Sequence, residues 1–328
     1  MTEVDMSPIT DEQMAFFEDQ GYLMARGLLD QEEVLDPVIE EYGTVLDQLA
    51  EELFLAGKIE SKYEDLPFGE RITKVWGESG MIHAQYFDFT LPQGNIKEDT
   101  PFWCGPAVFN ILTNPRLLDA VEAFIGPEIY SNPVQHVRIK LPEHLTPINP
   151  ATGRIQLGIS PWHQDNGVVT KEADDTHMLT VWFSLREATI EQGCLTVIPG
   201  SHRDGLLHHC PDIWGLEIPE KVKDRSAAVP QPTLPGDVLF LHKHTCHSSL
   251  PNKSNEIRWS YDLRYNPIGQ ASGRGAFPGF VARSRANPER VLTDPVAWNQ
   301  MWLDARDALA GMPNPSFNRW SKDHEICA

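Results

Sequence analysis

His163 and Asp165, two residues apart in the segment PWHQDNG (161–167), are the side chains whose types and spacing most clearly suit metal chemistry. Side chains of an extended strand alternate between its faces, so residues two apart point the same way and can reach one ion. A third ligand must come from elsewhere. The segment GDVLFLHKHTCHSSLPNKSNEIRWSYDLRY (236–265) offers His242, His244 and His247, and it carries Arg258, able to hold an anionic co-substrate beside the metal. Two histidines and a carboxylate on one face of an octahedral ion leave its other positions open, the arrangement used by non-haem Fe(II) oxygenases.

These residues need a scaffold, and the chain is large enough to supply one. With 328 residues, 41% of them hydrophobic, it can bury a full core as a single domain, and no linker divides it. The longest apolar runs fall far short of the ~18 residues that suggest a membrane span. The N-terminus MTEVDMSPITDEQ is acidic and has no apolar centre, so no export signal and a cytoplasmic location are expected. Cys104, Cys194, Cys210, Cys246 and Cys327 are odd in number and widely spread, which reads as free thiols in a reducing compartment. A formal charge of -20 opposes broad binding to nucleic acid or anionic membrane, leaving a small molecule as the expected partner.

Thr10 and Gln13 form a capping box ahead of a short helix that stops at Gly21, and YLMARGLL follows as a strand. Asp30 and Glu33 repeat the capping pattern before an amphipathic helix running to about Ala56. Residues 58–105 carry no clear pattern. Asn114 and Pro115 start a helix that Gly126 ends. Beyond residue 129 the texture changes to short strands divided by Pro, Gly and Asn: VQHVRIKL, GRIQLGISPWHQ, MLTVWFSLREA, CLTVIPGSH, PTLPGDVLFLH, TCHSSL and IRWSYDLRYN. The chain reads as α+β, mainly β: a helical part over about 1–128, a barrel core over about 129–268 whose one sheet the helices cover, and a C-terminal extension, 269–328.

An opening like ITDEQMAFFEDQGYLMARGLL, then HVRIK, PWHQD, LTVWFSL, GCLTVIPGSH, GDVLFLHKHTCHSSLPNKS and RWS occur in an order that resembles the phytanoyl-CoA dioxygenase family. The resemblance implies a double-stranded β-helix, a cupin-like jelly roll. It also implies Fe(II), 2-oxoglutarate and O2, with succinate and CO2 released as a C–H bond is hydroxylated or otherwise oxidised. The family's distal histidine lies just before an S-x-x-N turn and about eleven residues ahead of the arginine that holds 2-oxoglutarate. His247, with Ser248, Asn252 and Arg258 (258 − 247 = 11), fits that pattern, so His163, Asp165 and His247 become the implied ligands and His242 and His244 structural. Ser260, two residues past Arg258, can add a hydroxyl, and Trp182 and His136 fall where relatives line the co-substrate pocket. Halogenating relatives replace the metal carboxylate with a small residue; Asp165 favours hydroxylation.

Taken singly, each residue has a plainer reading: an H-x-D triplet on the surface, Arg258 in an exposed ion pair, Trp182 in the core. Their joint order overturns these. Strand parity places Arg138 and Lys140 on the face of His136, and Arg264 on that of Arg258, so these cations suit an anionic substrate unless they serve 2-oxoglutarate or pair with Asp262. A non-catalytic metal-binding jelly roll would have no need of Arg258. A zinc hydrolase would want a separate base beside the bound water, and no such motif is present.

Overall fold

The computed structural model describes residues 8–150, 152–212, 215–313 and 317–328; the first seven residues, part of the segment read above for an export signal, lie outside them. Thr10 caps α1 (Asp11–Gln20): its hydroxyl accepts from Gln13 N, and the Gln13 side chain accepts from Thr10 N. Gly21 ends the helix at φ 78°, a left-handed conformation that costs glycine little. The edge strand β1 (Tyr22–Ala25) follows. Asp30 accepts from Glu33 N at 2.8 Å, but the turn it opens, Gln31–Leu35, is π-helical before α2 (Asp36–Leu55) begins. Pro37 has no N–H for the carbonyl four residues back, which leaves that turn free to widen.

The unassigned stretch holds α3 (Phe68–Ser79), followed by α4 (Pro106–Leu112) and α5 (Pro115–Ile125), the last capped by the Asn114 side chain on Leu117 N at 3.0 Å. Then come β2 (Ile129–Lys140), β3 (Leu179–Ser184), β4 (Leu195–Val197), β5 (Cys210–Asp212), β6 (Gly215–Glu217), β7 (Val229–Gln231), β8 (Val238–His242), β9 (His247–Ser249), β10 (Arg258–Pro267) and β11 (Phe280–Arg283). The helix α6 (Pro295–Ala310) lies in the C-terminal extension. Six strands pair antiparallel in the order β1-β8-β3-β10-β2-β11 and three in the order β7-β4-β9, with β5 and β6 a separate hairpin. This is the α+β, mainly β jelly roll, and its large sheet recruits β1 and β11 from outside residues 129–268. Among the described residues no helix is long and apolar enough to cross a membrane.

Register shows how one strand set serves two purposes. Lys140 and Arg138 of β2 lie opposite Arg258 and Ser260 of β10, and Ser260, Asp262 and Arg264 lie opposite Ser184, Trp182 and Thr180 of β3. Paired residues share a face, so this polar set looks toward the small sheet, where Trp182, Leu195, Val197, Leu239 and Leu241 pack together. The alternate residues, among them Val137, Ile139, Val181, Phe183, Trp259 and Tyr261, form the main core with the helices, Tyr42 meeting Trp259 edge-on at 5.3 Å. The β2–β10 register shifts between Asp262 and Arg264, around Pro133, which cannot donate to the ladder.

Two expectations are corrected. GRIQLGISPWHQ does not run as a strand; it makes only isolated bridges, Ile148 to Ile155 and His163 to His247, and Asp165 opens a 3-10 turn, Asp165–Val168. Pro161 lacks a donor and Asn166-Gly167 favours a turn. The five cysteines are not all free thiols either. Cys210 and Cys327, 117 residues apart, are disulfide-bonded, while Cys104, Cys194 and Cys246 are free and buried. That pairing depends on the chain end folding back over β5, which no local sequence signal announces.

Candidate active site

His247 starts β9, and His163 pairs with it across an isolated antiparallel bridge: His163 N donates to His247 O at 2.9 Å and His247 N to His163 O at 3.0 Å. Their rings are 4.2 Å apart. Each Nδ1 faces a backbone carbonyl two residues upstream, Pro161 O at 2.7 Å and Thr245 O at 2.9 Å, which fixes the proton on Nδ1 and leaves Nε2 as the lone-pair nitrogen. The turn after Gln164 brings Asp165 round, so its oxygens lie 4.0 Å from His163 Nε2 and 3.9 Å from His247 Nε2. One ligand atom from each residue falls within 4.8 Å of the others. Burial holds the His163 imidazole well below its ordinary range, so it is a neutral donor at physiological pH.

Burial alone would raise the Asp165 carboxyl, but the Arg264 guanidinium, with His247 and His163, outweighs it and keeps the group ionised. Arg264 Nη2 donates to Asp165 Oδ1 and Thr180 Oγ1 to Oδ2, the latter at 2.5 Å. Arg264 also donates to Asp262 at 3.2 Å and to Val134 O at 2.7 Å, so its donors are taken up by Asp165 and these neighbours. This corrects the reading of Arg264 as a substrate residue: parity turns it inward, but a buried carboxylate within reach captures it. Thr180 was missed, although it stands two residues before Trp182 on β3 and therefore on the same face.

Gln164 points away from the ligands and pins their loop, donating to His244 O at 2.7 Å and Gly205 O at 2.8 Å and accepting from Leu207 N at 2.8 Å. Gly167 is required by close approach, since a Cβ there would meet the His209 ring at 2.2 Å. The chain end closes over this turn. Trp320 Nε1 donates to Gly167 O at 2.7 Å, and Arg319 clamps Asp174, which accepts from Asn166 at 3.2 Å. No sequence signal linked residues so far apart. His242 and His244 stand outside the ligand group, His242 Nδ1 accepting from His244 N at 3.1 Å.

Arg258 is 1% exposed, and among the described residues its Nε and Nη2 have no hydrogen-bond partner; Nη1 donates to Ser260 Oγ. Its guanidinium lies 5.8 Å from the Trp182 ring, and it shares with His163, His247, Thr180, Trp182 and Arg138 a narrow cavity. A larger groove, about 930 Å³, opens by Ile39, Phe68 and Trp259, on the opposite face of the sheet and away from His163, Asp165 and His247. The residues fit iron with 2-oxoglutarate: imidazole and carboxylate donors converge, and an unpartnered buried cation waits for a carboxylate in the same cavity.

The remaining cations divide. Arg138 borders the cavity with its side chain 43% exposed and touches Asp262 only at 3.9 Å. Lys140 does not line the cavity: its Nζ donates to Ser249 Oγ at 2.8 Å and Leu250 O at 2.7 Å. His136 is drawn aside by Asp88 at 2.8 Å and Thr90 at 3.2 Å and does not line the cavity with Arg258, which corrects its expected place beside the co-substrate.

Burial, reinforced by the Arg258 and Arg138 charges, pushes the Lys140 ammonium from the usual 10.5 down to about 6. The unfolded chain keeps that proton up to about pH 10.5, whereas the folded chain releases it above about pH 6. Between these values stability therefore rises with pH, by at most about 1.4 kcal/mol per pH unit from this group. Denaturant unfolding of the metal-free protein and of Lys140→Met, from neutral to alkaline pH, should show a flatter dependence in the variant; parallel curves would contradict the depressed ammonium.

Residues 83–260, more than half of the chain, match the phytanoyl-CoA dioxygenase family. The zebrafish (Danio rerio) phytanoyl-CoA dioxygenase domain-containing protein 1 is 25% identical over 273 residues, covering 78% of this chain and 89% of its own length. The 1-deoxypentalenic acid 11-beta-hydroxylase of Streptomyces exfoliatus is 24% identical over 305 residues, covering 88% of this chain and 94% of its own. Among solved structures, EvdO2 from Micromonospora carbonacea, determined with 2-oxoglutarate, superposes over 80% of this chain and 93% of its own at a TM-score of 0.50 and 20% identity, a likeness of fold. The chain belongs to the phytanoyl-CoA dioxygenase family of Fe(II)- and 2-oxoglutarate-dependent oxygenases.

Proposed function

We propose that this oxygenase hydroxylates a C–H bond of a small anionic molecule, with His163, Asp165 and His247 holding the iron and Arg258 and Ser260 the far carboxylate of 2-oxoglutarate. The observation that carries the reading is the unpartnered, buried Arg258 guanidinium in the cavity of the two ligand histidines. Iron with 2-oxoglutarate supplies, in the presence of O2, an oxidant able to break an unactivated C–H bond as succinate and CO2 form. The protein supplies position and exclusion of water. Arg264 and Thr180 hold the Asp165 carboxylate in place, and the carbonyls of Pro161 and Thr245 orient the imidazoles. Trp182 walls the co-substrate side, packed beside Arg258.

Arg138 supports the anionic substrate. With Arg258 given to the co-substrate, it is the remaining cation bordering the cavity, with one long contact to Asp262 at 3.9 Å. A relative that covers most of this chain acts on an acid by name. A screen reading succinate release should find carboxylates or phosphonates ahead of neutral apolar compounds. Arg138→Ala should then raise the substrate KM by about tenfold or more, worth roughly 1.4 kcal/mol, and leave uncoupled 2-oxoglutarate decarboxylation in place. Equal turnover of neutral hydrocarbons, or an unchanged KM, would remove the basis for an anionic substrate.

A further inference from the structure

We propose that His208, Cys210 and Cys327 form a second metal site, which takes a soft divalent ion such as zinc when the Cys210–Cys327 bond is reduced. The bonded sulfurs of Cys210 and Cys327 and one nitrogen of His208 lie within 4.8 Å of one another, so that once reduction parts the sulfurs the three can open to the roughly 3.4 to 3.8 Å that separates sulfur and nitrogen donors in a tetrahedral zinc site. The group is separate from the iron ligands. Two independent features point to a ligand rather than to a disulfide alone. His208 Nε2 is buried and has no hydrogen-bond partner among the described residues, although imidazole normally finds one when removed from water. A histidine also stands close in sequence to each cysteine, His208 two residues before Cys210 at the entry to β5 and His324 three before Cys327 as the N-cap of the 3-10 turn Glu325–Cys327.

His208, at the entry to β5, brings one nitrogen to the same point as both sulfurs, while His324 caps the turn that carries Cys327. The His324 ring stacks on His208 at 4.0 Å with its Nδ1 accepting from Ile326 N, so its Nε2 is the nearest candidate for a fourth position. A dithiol reductant opens the disulfide, its own two sulfurs closing to a disulfide as the two cysteine thiols form. Binding of the ion then releases both thiol protons to solvent, and the two thiolate charges balance the divalent cation. Either state ties down the chain end that carries Arg319 and Trp320 to Asp174 and Gly167 O, beside Asp165.

The test uses the full chain, stripped of metal, in oxidised form and after anaerobic reduction by a dithiol, titrated with Co(II) and then Zn(II). The reduced protein should bind one more equivalent of Co(II) than the oxidised protein, with thiolate-to-cobalt charge-transfer absorption that Zn(II) abolishes. The histidine–carboxylate iron site has no sulfur and cannot give that band. Cys210→Ser and Cys327→Ser should each lose it, and His208→Ala should weaken the binding that produces it. Equal metal content in the two wild-type forms, no sulfur band at excess Co(II), or a band unaltered in His208→Ala would each overturn the proposal. The oxidised-against-reduced comparison needs no variant to fold.

Discussion

Asp165→Ala is expected to abolish Fe(II) binding at low metal concentration and to destabilise the metal-free protein as well. The carboxylate is at once a proposed iron ligand and the principal counter-ion of Arg264, which is 2% exposed. Removing one partner of a buried ion pair typically costs about 3 to 5 kcal/mol, because the remaining charge is stranded away from water. Asp262, at 3.2 Å, stays as a second partner, so the loss should fall toward the lower end of that range. Metal titration and denaturant unfolding on the same sample separate the two effects. A variant that keeps wild-type iron affinity would remove Asp165 from the ligand set, and one with unchanged stability would deny that the pair holds the site in its metal-free form. His247→Ala should likewise lose iron, whereas His242→Ala and His244→Ala should retain it; the reverse pattern would move the third ligand.

Arg258→Met should move two measured quantities in opposite directions. Burial, with the Arg138 charge added, pushes the Arg258 guanidinium from its usual 12.5 down to about 10, so carrying the charge in the folded protein is costly when nothing opposes it. Met at this position relieves that cost, and the protein without co-substrate should become more stable or stay level at neutral pH. 2-Oxoglutarate affinity should fall by tens-fold to thousands-fold, the equivalent of about 2 to 5 kcal/mol for one lost partner of a buried charge pair. Calorimetric titration of 2-oxoglutarate into protein loaded with a redox-inert divalent ion gives the affinity directly. Equal affinity in the variant would rule out Arg258 as the carboxylate holder, whatever the stability shows.

The parts legible in the sequence were those governed by short-range rules. The Thr10 and Asn114 caps, the Gly21 stop and the alternation of β3 and β10 depend on neighbours a few residues away, and they appear in the structure where the pattern places them. Where partners come from far along the chain, the reading was incomplete. Parity turned Arg264 inward but could not reveal that Asp165, 99 positions away, would engage it. His136 was expected beside the co-substrate, yet Asp88, in a stretch without periodicity, draws it aside. The strand proposed for His163 and Asp165 is a bridge followed by a turn; the ligand atoms converge because the turn brings Asp165 round. The chain end, with its disulfide and its clamp on residues 166–174, had no local signal at all.

The most direct test of the account is visible spectroscopy of the metal-free protein under anaerobic conditions as Fe(II) and 2-oxoglutarate are added, separately and then together. A cavity in which His163, Asp165 and His247 leave adjacent positions open, with Arg258 anchoring the far carboxylate, predicts a metal-to-ligand charge-transfer band that appears only when both are present. The band should be lost in Asp165→Ala and should require far more 2-oxoglutarate in Arg258→Met. Absence of the band from the wild-type protein at saturating Fe(II) and 2-oxoglutarate would contradict the account.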